Sequence, residues 1–134
     1  MIPDIYNLQF VPFRSDDALL SVIGRVDVAS TADGVVLRVD CAKAAANSVG
    51  GLHGGALSTL FDVALHAAAR EGLQGEALTI SLDVKFMRSG ELSSPLHIFA
   101  HVLRAGRTLA TCSASTFQNG RVIAHATGQF MKLQ

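Results

Sequence analysis

Between Ala56 and Arg70 the only charged side chain is Asp62, and the only other titratable group is His66. Leu57, Leu60, Phe61, Ala64, Leu65 and Ala68 surround them. An unpaired carboxylate taken from water into such company is destabilised by several kcal/mol, so it is paired, neutralised, or placed on a wet functional cavity. Ser58, Thr59, Asp62 and His66 recur at spacings of three and four, which on a helix sets them along one narrow stripe. In a cavity, Asp62 would serve as a base. The structural alternative is an Asp62 to His66 pair one turn apart, or hydrogen bonds to backbone.

A glycine-rich approach, Asn47-Ser48-Val49-Gly50-Gly51-Leu52-His53-Gly54-Gly55, precedes this stretch. Glycines let the backbone come close to a ligand at a helix N-terminus, where unpaired N–H groups point outward. Those donors and the positive end of the helix dipole stabilise the oxyanion of an attacked carbonyl, by about 3 kcal/mol per donor. Glycines here also suit plain chain turning or helix packing. The run lacks the lysine of a P-loop and does not read GxGxxG, so a nucleotide-fold reading fails.

The elements that must position these groups follow from composition and period. Leu19 to Ala29 and Val35 to Val39 read as two strands joined by a turn at Ser30 to Gly34. Gly54 to Glu71 is the one long helix, rich in Ala and Leu, with Gly72 as its expected C-terminal cap. Then the period becomes two, with Leu78, Ile80, Leu82, Val84 and Phe86 on one face and Thr79, Ser81, Asp83 and Lys85 on the other. Leu96 to Arg104, Leu109 to Phe117 and Val122 to Met131 are three more strands, the last two joined by the hairpin dipeptide Asn119-Gly120. The layout is α+β, one helix on an antiparallel sheet of about six strands, which is little cover and predicts self-association.

A chain of 134 residues, 49% apolar, suits one domain. Its net charge of zero gives no long-range field to draw nucleic acid or an anionic membrane. No apolar run spans a bilayer, and Met1 to Phe10 lacks the pattern of a secretory signal. Cys41 and Cys112 lie far apart, which fits free thiols in the cytoplasm.

Asn47, Gly50, His53-Gly54-Gly55, Leu60 and Asp62 resemble the N-x-x-G-x-x-H-G-G-x-x-x-x-L-x-D pattern of PaaI-type hotdog thioesterases. The resemblance runs from about Asn47 to the end of the chain and is one of layout before it. It implies a long helix wrapped by a curved antiparallel sheet, dimers joined sheet edge to sheet edge with shared active sites, and commonly tetramers. It implies hydrolysis of acyl-CoA thioesters, coenzyme A being part of the substrate rather than a cofactor. Asp62 would be general base or nucleophile, with the Gly54 N–H on the carbonyl oxygen and Asn47 positioning the reacting groups. His53 would support the loop, and Thr79 stands where relatives carry a hydroxyl that orients water, although its alternation sets it opposite the apolar face. Gly55 and His66 are candidate substrate contacts, and Arg88, Arg104 and Arg107 candidate phosphate contacts. Arg88-Ser89-Gly90 departs from the more usual arginine-proline sequence.

Two rival functions share this fold. A dehydratase or hydratase needs an acid and a base across adjacent carbons, a role that would fall to Asp62 and His66. An acyl-CoA binding module needs no carboxylate, and Asp62 is present. His97 and His101 share a strand face without acidic or cysteine partners at ligand spacing, so no metal is expected. Neither cysteine follows a helix start, so a thiolate nucleophile is not expected.

Overall fold

The computed structural model describes residues 4–134, so the first three residues of the amino-terminal stretch lie outside the described residues. The elements are β1 (Val11–Pro12), α1 (Ala18–Ile23), β2 (Gly24–Ser30), β3 (Val35–Cys41), a single 3-10 turn (Lys43–Ala45), α2 (Gly54–Leu73), β4 (Ala77–Phe86), β5 (Leu96–Ala105), β6 (Leu109–Gln118) and β7 (Arg121–Lys132). The strands form one antiparallel sheet of seven in the order β1-β2-β3-β5-β6-β7-β4. The seventh strand beyond the expected six is the two-residue β1.

The stretch Leu19 to Ala29 is not one strand. Asp17 Oδ1 accepts the Leu19 and Leu20 amides at 3.0 and 3.3 Å and starts a short helix. Gly24 ends it against β3, where a Cβ would stand 2.3 Å from the Asp40 carbonyl oxygen. The expected hairpin of β2 and β3 is present, its turn closed by the Thr31 amide donating to the Gly34 carbonyl at 2.8 Å.

Helix α2 continues two residues past Glu71. Gly72 is therefore not the cap; it lies inside the helix, where a Cβ would meet Val102 at 3.0 Å. Gln74, at φ 54 and ψ 48, makes the left-handed exit. Asn119 and Gly120 both take positive φ, 53° and 75°, as a tight hairpin requires.

Leu57, Leu60, Phe61, Ala64, Leu65 and Ala68 of α2 are buried in a core shared with Leu37 and Val39 of β3, Leu96 and Ile98 of β5, and Phe130 of β7. On the opposite face of the sheet the amino-terminal residues Ile5, Leu8 and Phe10 pack with Val36, Phe99, Phe117 and Val122 in a second, smaller cluster. The remaining stripe of α2, with Ser58, Thr59, Asp62 and His66, is only half buried and runs beside β4 at the sheet edge.

Candidate active site

The loop before α2 is tied down from within. Asn47 Oδ1 accepts the amides of Val49 and Gly51 at 3.0 and 2.9 Å, and Nδ2 points to the Leu52 carbonyl at 3.5 Å. The His53 amide donates to the Ala45 carbonyl at 2.8 Å. His53 is the N-cap of α2, and its Nδ1 accepts the Gly55 amide at 2.8 Å, which places a neutral ring's proton on Nε2. The Gly55 N–H is thus consumed, whereas the Gly54 N–H has no acceptor among the described residues. It opens beside a cleft of about 320 Å³ lined by Gly54, Leu57, Phe86, Met87 and Arg88. A Cβ on Gly54 would stand 3.4 Å from the Phe86 ring.

Asp62 lies about two turns down the same helix. Its Oδ1 accepts a 2.7 Å hydrogen bond from Thr79 Oγ1, and Oδ2 has no partner among the described residues. Thr79 reaches it because β4 is bulged between Thr79 and Ser81. Thr79 pairs with Phe130 and, past the bulge, Leu82, Val84 and Phe86 pair with Gly128, Ala126 and Ala124, all on the helix side of β7. The expected placement of Thr79 opposite that face is therefore wrong: Ile80 is the extra residue that shifts the alternation by one. Leu78, paired with exposed Met131, faces the other way.

His66 does not pair with Asp62. Its Nε2 lies 2.9 Å from the Ala77 carbonyl, which can only accept, and 3.9 Å from Glu76, itself bound to Arg70 at 3.1 Å. The helix stripe is thus divided between a carboxylate with one open oxygen and a histidine committed to the start of β4. Asp62 and His66 are therefore not coupled to one another on this chain.

Gly54 and Asp62 are eight positions apart, a rise of about 12 Å along the axis. One carbonyl group is too small to touch both on a single chain.

Arg88 lines the cleft at Gly54, but Arg104 lies near the far end of β5 and Arg107 in the turn after it, the end that meets Gly72 of α2 through Val102 and Ala105. The segment after β4 is held by contacts that sequence reading did not single out. Met87 and Arg88 amides donate to the Ile123 carbonyl at 2.9 and 3.0 Å, and the Leu52 amide to the Gly90 carbonyl at 2.9 Å. Gln118, 5% exposed, accepts the Glu91 amide at 2.9 Å and donates to the Glu91 and Ser94 carbonyls at 2.8 and 2.9 Å. As the last residue of a strand it carries no signal in the sequence, because its partners are 24 and 27 positions away.

Cys112 is buried and its thiol is pushed up to about 11; burial, with Asp40 beside it, also raises Cys41. His97 meets Tyr6 edge to face at 4.7 Å, and His101 stacks on Phe99 at 5.3 Å. Among the described residues no three His, Cys, Asp or Glu side chains converge as metal ligands, and no helix is long and apolar enough to cross a membrane.

A single long helix packed on one antiparallel sheet is the hotdog architecture. Residues 43–131 match the family described as the acyl-CoA thioesterase N-terminal domain. Human acyl-coenzyme A thioesterase 13 is 32% identical over 110 residues, covering 77% of this chain and 76% of that protein. The crystal structure of zebrafish thioesterase superfamily member 2 superposes with a TM-score of 0.74 at 29% identity, over 89% of this chain and 87% of the other. The E. coli PaaI protein shares the fold, with a TM-score of 0.79 at 23% identity over 89% and 86% of the two chains. The chain belongs to the acyl-CoA thioesterase family and is a thioester hydrolase.

Proposed function

We propose that the chain hydrolyses acyl-CoA thioesters to the free acid and CoA, with Asp62 as the base that activates water. Thr79 holds Asp62 Oδ1 and leaves Oδ2 to take the proton. The water oxygen bonds to the thioester carbon, and the negative charge that develops on the carbonyl oxygen meets the unpaired Gly54 N–H. The intermediate then expels the CoA thiolate, whose thiol, like that of cysteine with a pKa of about 8.5, leaves without a strong general acid. Asn47 and His53 act by shaping the loop that presents Gly54.

The observation that carries this reading is the separation of Gly54 from Asp62. A base and an oxyanion donor about 12 Å apart on one helix form one site only when a second chain supplies the missing half. We therefore propose a homodimer with two shared sites, joined along β4. That strand lies at the sheet edge, and its Leu78, Ile80 and Phe86, with Met87 just beyond, are half or more exposed on the single chain. Pairing of two such dimers gives the tetramer. The free thiols suit the cytoplasm, and the chemistry needs no cofactor beyond the CoA the substrate brings.

The test is release of free CoA from a panel of aryl, phenylacetyl and medium-chain acyl-CoAs. Turnover of one or more is expected, and tight binding without turnover would show a binding module instead.

A further inference from the structure

A second cleft, about 620 Å³, shares Arg88 and Ser89 with the one at Gly54 and continues away from it to Arg121, the first residue of β7. The two clefts therefore adjoin in one groove that starts at the unpaired amide, passes Arg88 and ends at Arg121. Neither Arg88 nor Arg121 has an ion-pair partner among the described residues. The one carboxylate on this wall, Glu91, gives Oε1 to Ser94 Oγ at 2.8 Å and Asn119 Nδ2 at 3.0 Å, so two guanidinium groups face one carboxylate. Gln118 fastens the segment carrying Glu91 and Ser94 to the end of β6, and the Ile123 carbonyl fastens Arg88 to β7. Arg121 thus stands beside the end of β6 that Gln118 ties to the segment carrying Glu91 and Ser94, while Arg88 is held to β7 through Ile123.

An excess of positive charge at the far end of a groove that begins at the reacting carbonyl fits a substrate whose leaving group is long and anionic at its end. We propose that Arg121 is a specificity residue for the leaving group: with Arg88 it binds the phosphates of CoA. The proposal rests on the thioesterase reading above. Arg121 takes the place that Arg104 and Arg107, at the other end of β5, do not occupy on this chain.

The test compares two thioesters of one acyl group, chosen from the panel, one carried on CoA and one on N-acetylcysteamine, which has no phosphate. In Arg121→Gln the KM for the CoA ester rises by roughly ten- to thirtyfold with kcat within about twofold, because a charge-assisted contact to phosphate is lost. The same variant leaves kcat/KM for the N-acetylcysteamine ester unchanged, and Arg121→Lys restores most of the CoA affinity. An unmoved KM for the CoA ester, or an equal loss on both esters, overturns the proposal while leaving the thioesterase reading standing. Wild-type protein that cleaves neither ester overturns that reading, and this proposal with it.

Discussion

Thr79 Oγ1 donates to Asp62 Oδ1 at 2.7 Å across a bulged edge strand, and that bond ties the acid of the central helix to β4. A hydroxyl on one carboxylate oxygen fixes the rotamer and aims the other at the space beside the helix. Thr79→Val keeps the shape and removes the donor. A lost hydrogen bond to a charged group is worth about 1.5–3 kcal/mol, so kcat should fall roughly ten- to a hundredfold. KM should change little, and Thr79→Ser should retain most of the rate. Full activity in the valine variant, measured by thiol release, would remove the role assigned to Thr79.

His53 holds the first turn of α2 through the Gly55 amide. His53→Ala leaves that amide without its acceptor and should lower stability by about 1 kcal/mol, the usual worth of an N-cap. His53→Asn offers an oxygen in place of Nδ1 and should recover most of it. Thermal unfolding of the three proteins checks this; an unchanged midpoint in the alanine variant contradicts it.

The separation of Gly54 from Asp62 along the helix makes a prediction that no single-chain site shares. Gly54→Ala sets a methyl 3.4 Å from the Phe86 ring at an ordinary contact distance, so the fold survives. The methyl stands beside the oxyanion amide, and kcat/KM should drop about tenfold or more. Asp62→Asn should be inactive by itself. Unfolding and refolding the two variants together forms mixed dimers in which one site carries both changes and the other neither, restoring about a quarter of the wild-type sites. No recovery on mixing places both groups in a site on one chain.

His97 couples the amino-terminal segment to pH. Burial first, then Arg38 opposite it on β3, lower its pKa from the ordinary 6.5, and Asp40 acts in the other direction; Tyr6 and Phe10 cover the ring. The folded chain therefore holds the neutral ring, and below about pH 6.5 the unfolded chain binds more protons. Stability contributed here is complete above that pH and is lost as pH falls toward the lowered folded value. Urea midpoints measured from pH 7.5 to 5 should fall for the wild type, and His97→Gln should flatten the decline. An identical slope in both proteins contradicts it.

Much of this was legible before the structure. The α2 stripe, the alternating β4, the Asn119-Gly120 hairpin and the glycine-rich approach are all local patterns, written in spacings of two, three and four. Apart from the short helix capped by Asp17, the exceptions depend on partners distant in the chain. Leu19 to Ile23 looks like the start of a strand because its aliphatic residues fit either state, and Asp17 decides it. Gly72 looks like a cap because its real reason is Val102, thirty positions on. The bulge at Ile80 has no mark of its own, and it alone decides which way Thr79 faces. Gln118 matters through the segment of Glu91 and Ser94 that it meets across the sheet, and no local pattern tells that Arg104 and Arg107 lie at the end of β5 away from Arg88.

Asp62→Asn asks whether the acid of the central helix is the base. The substitution keeps size and a hydrogen bond from Thr79 while removing the base. With the best acyl-CoA of the panel, kcat should fall by roughly a hundredfold or more with KM within a few fold and unfolding unchanged. A variant that releases CoA at a rate near that of the wild type would show that Asp62 is not the base.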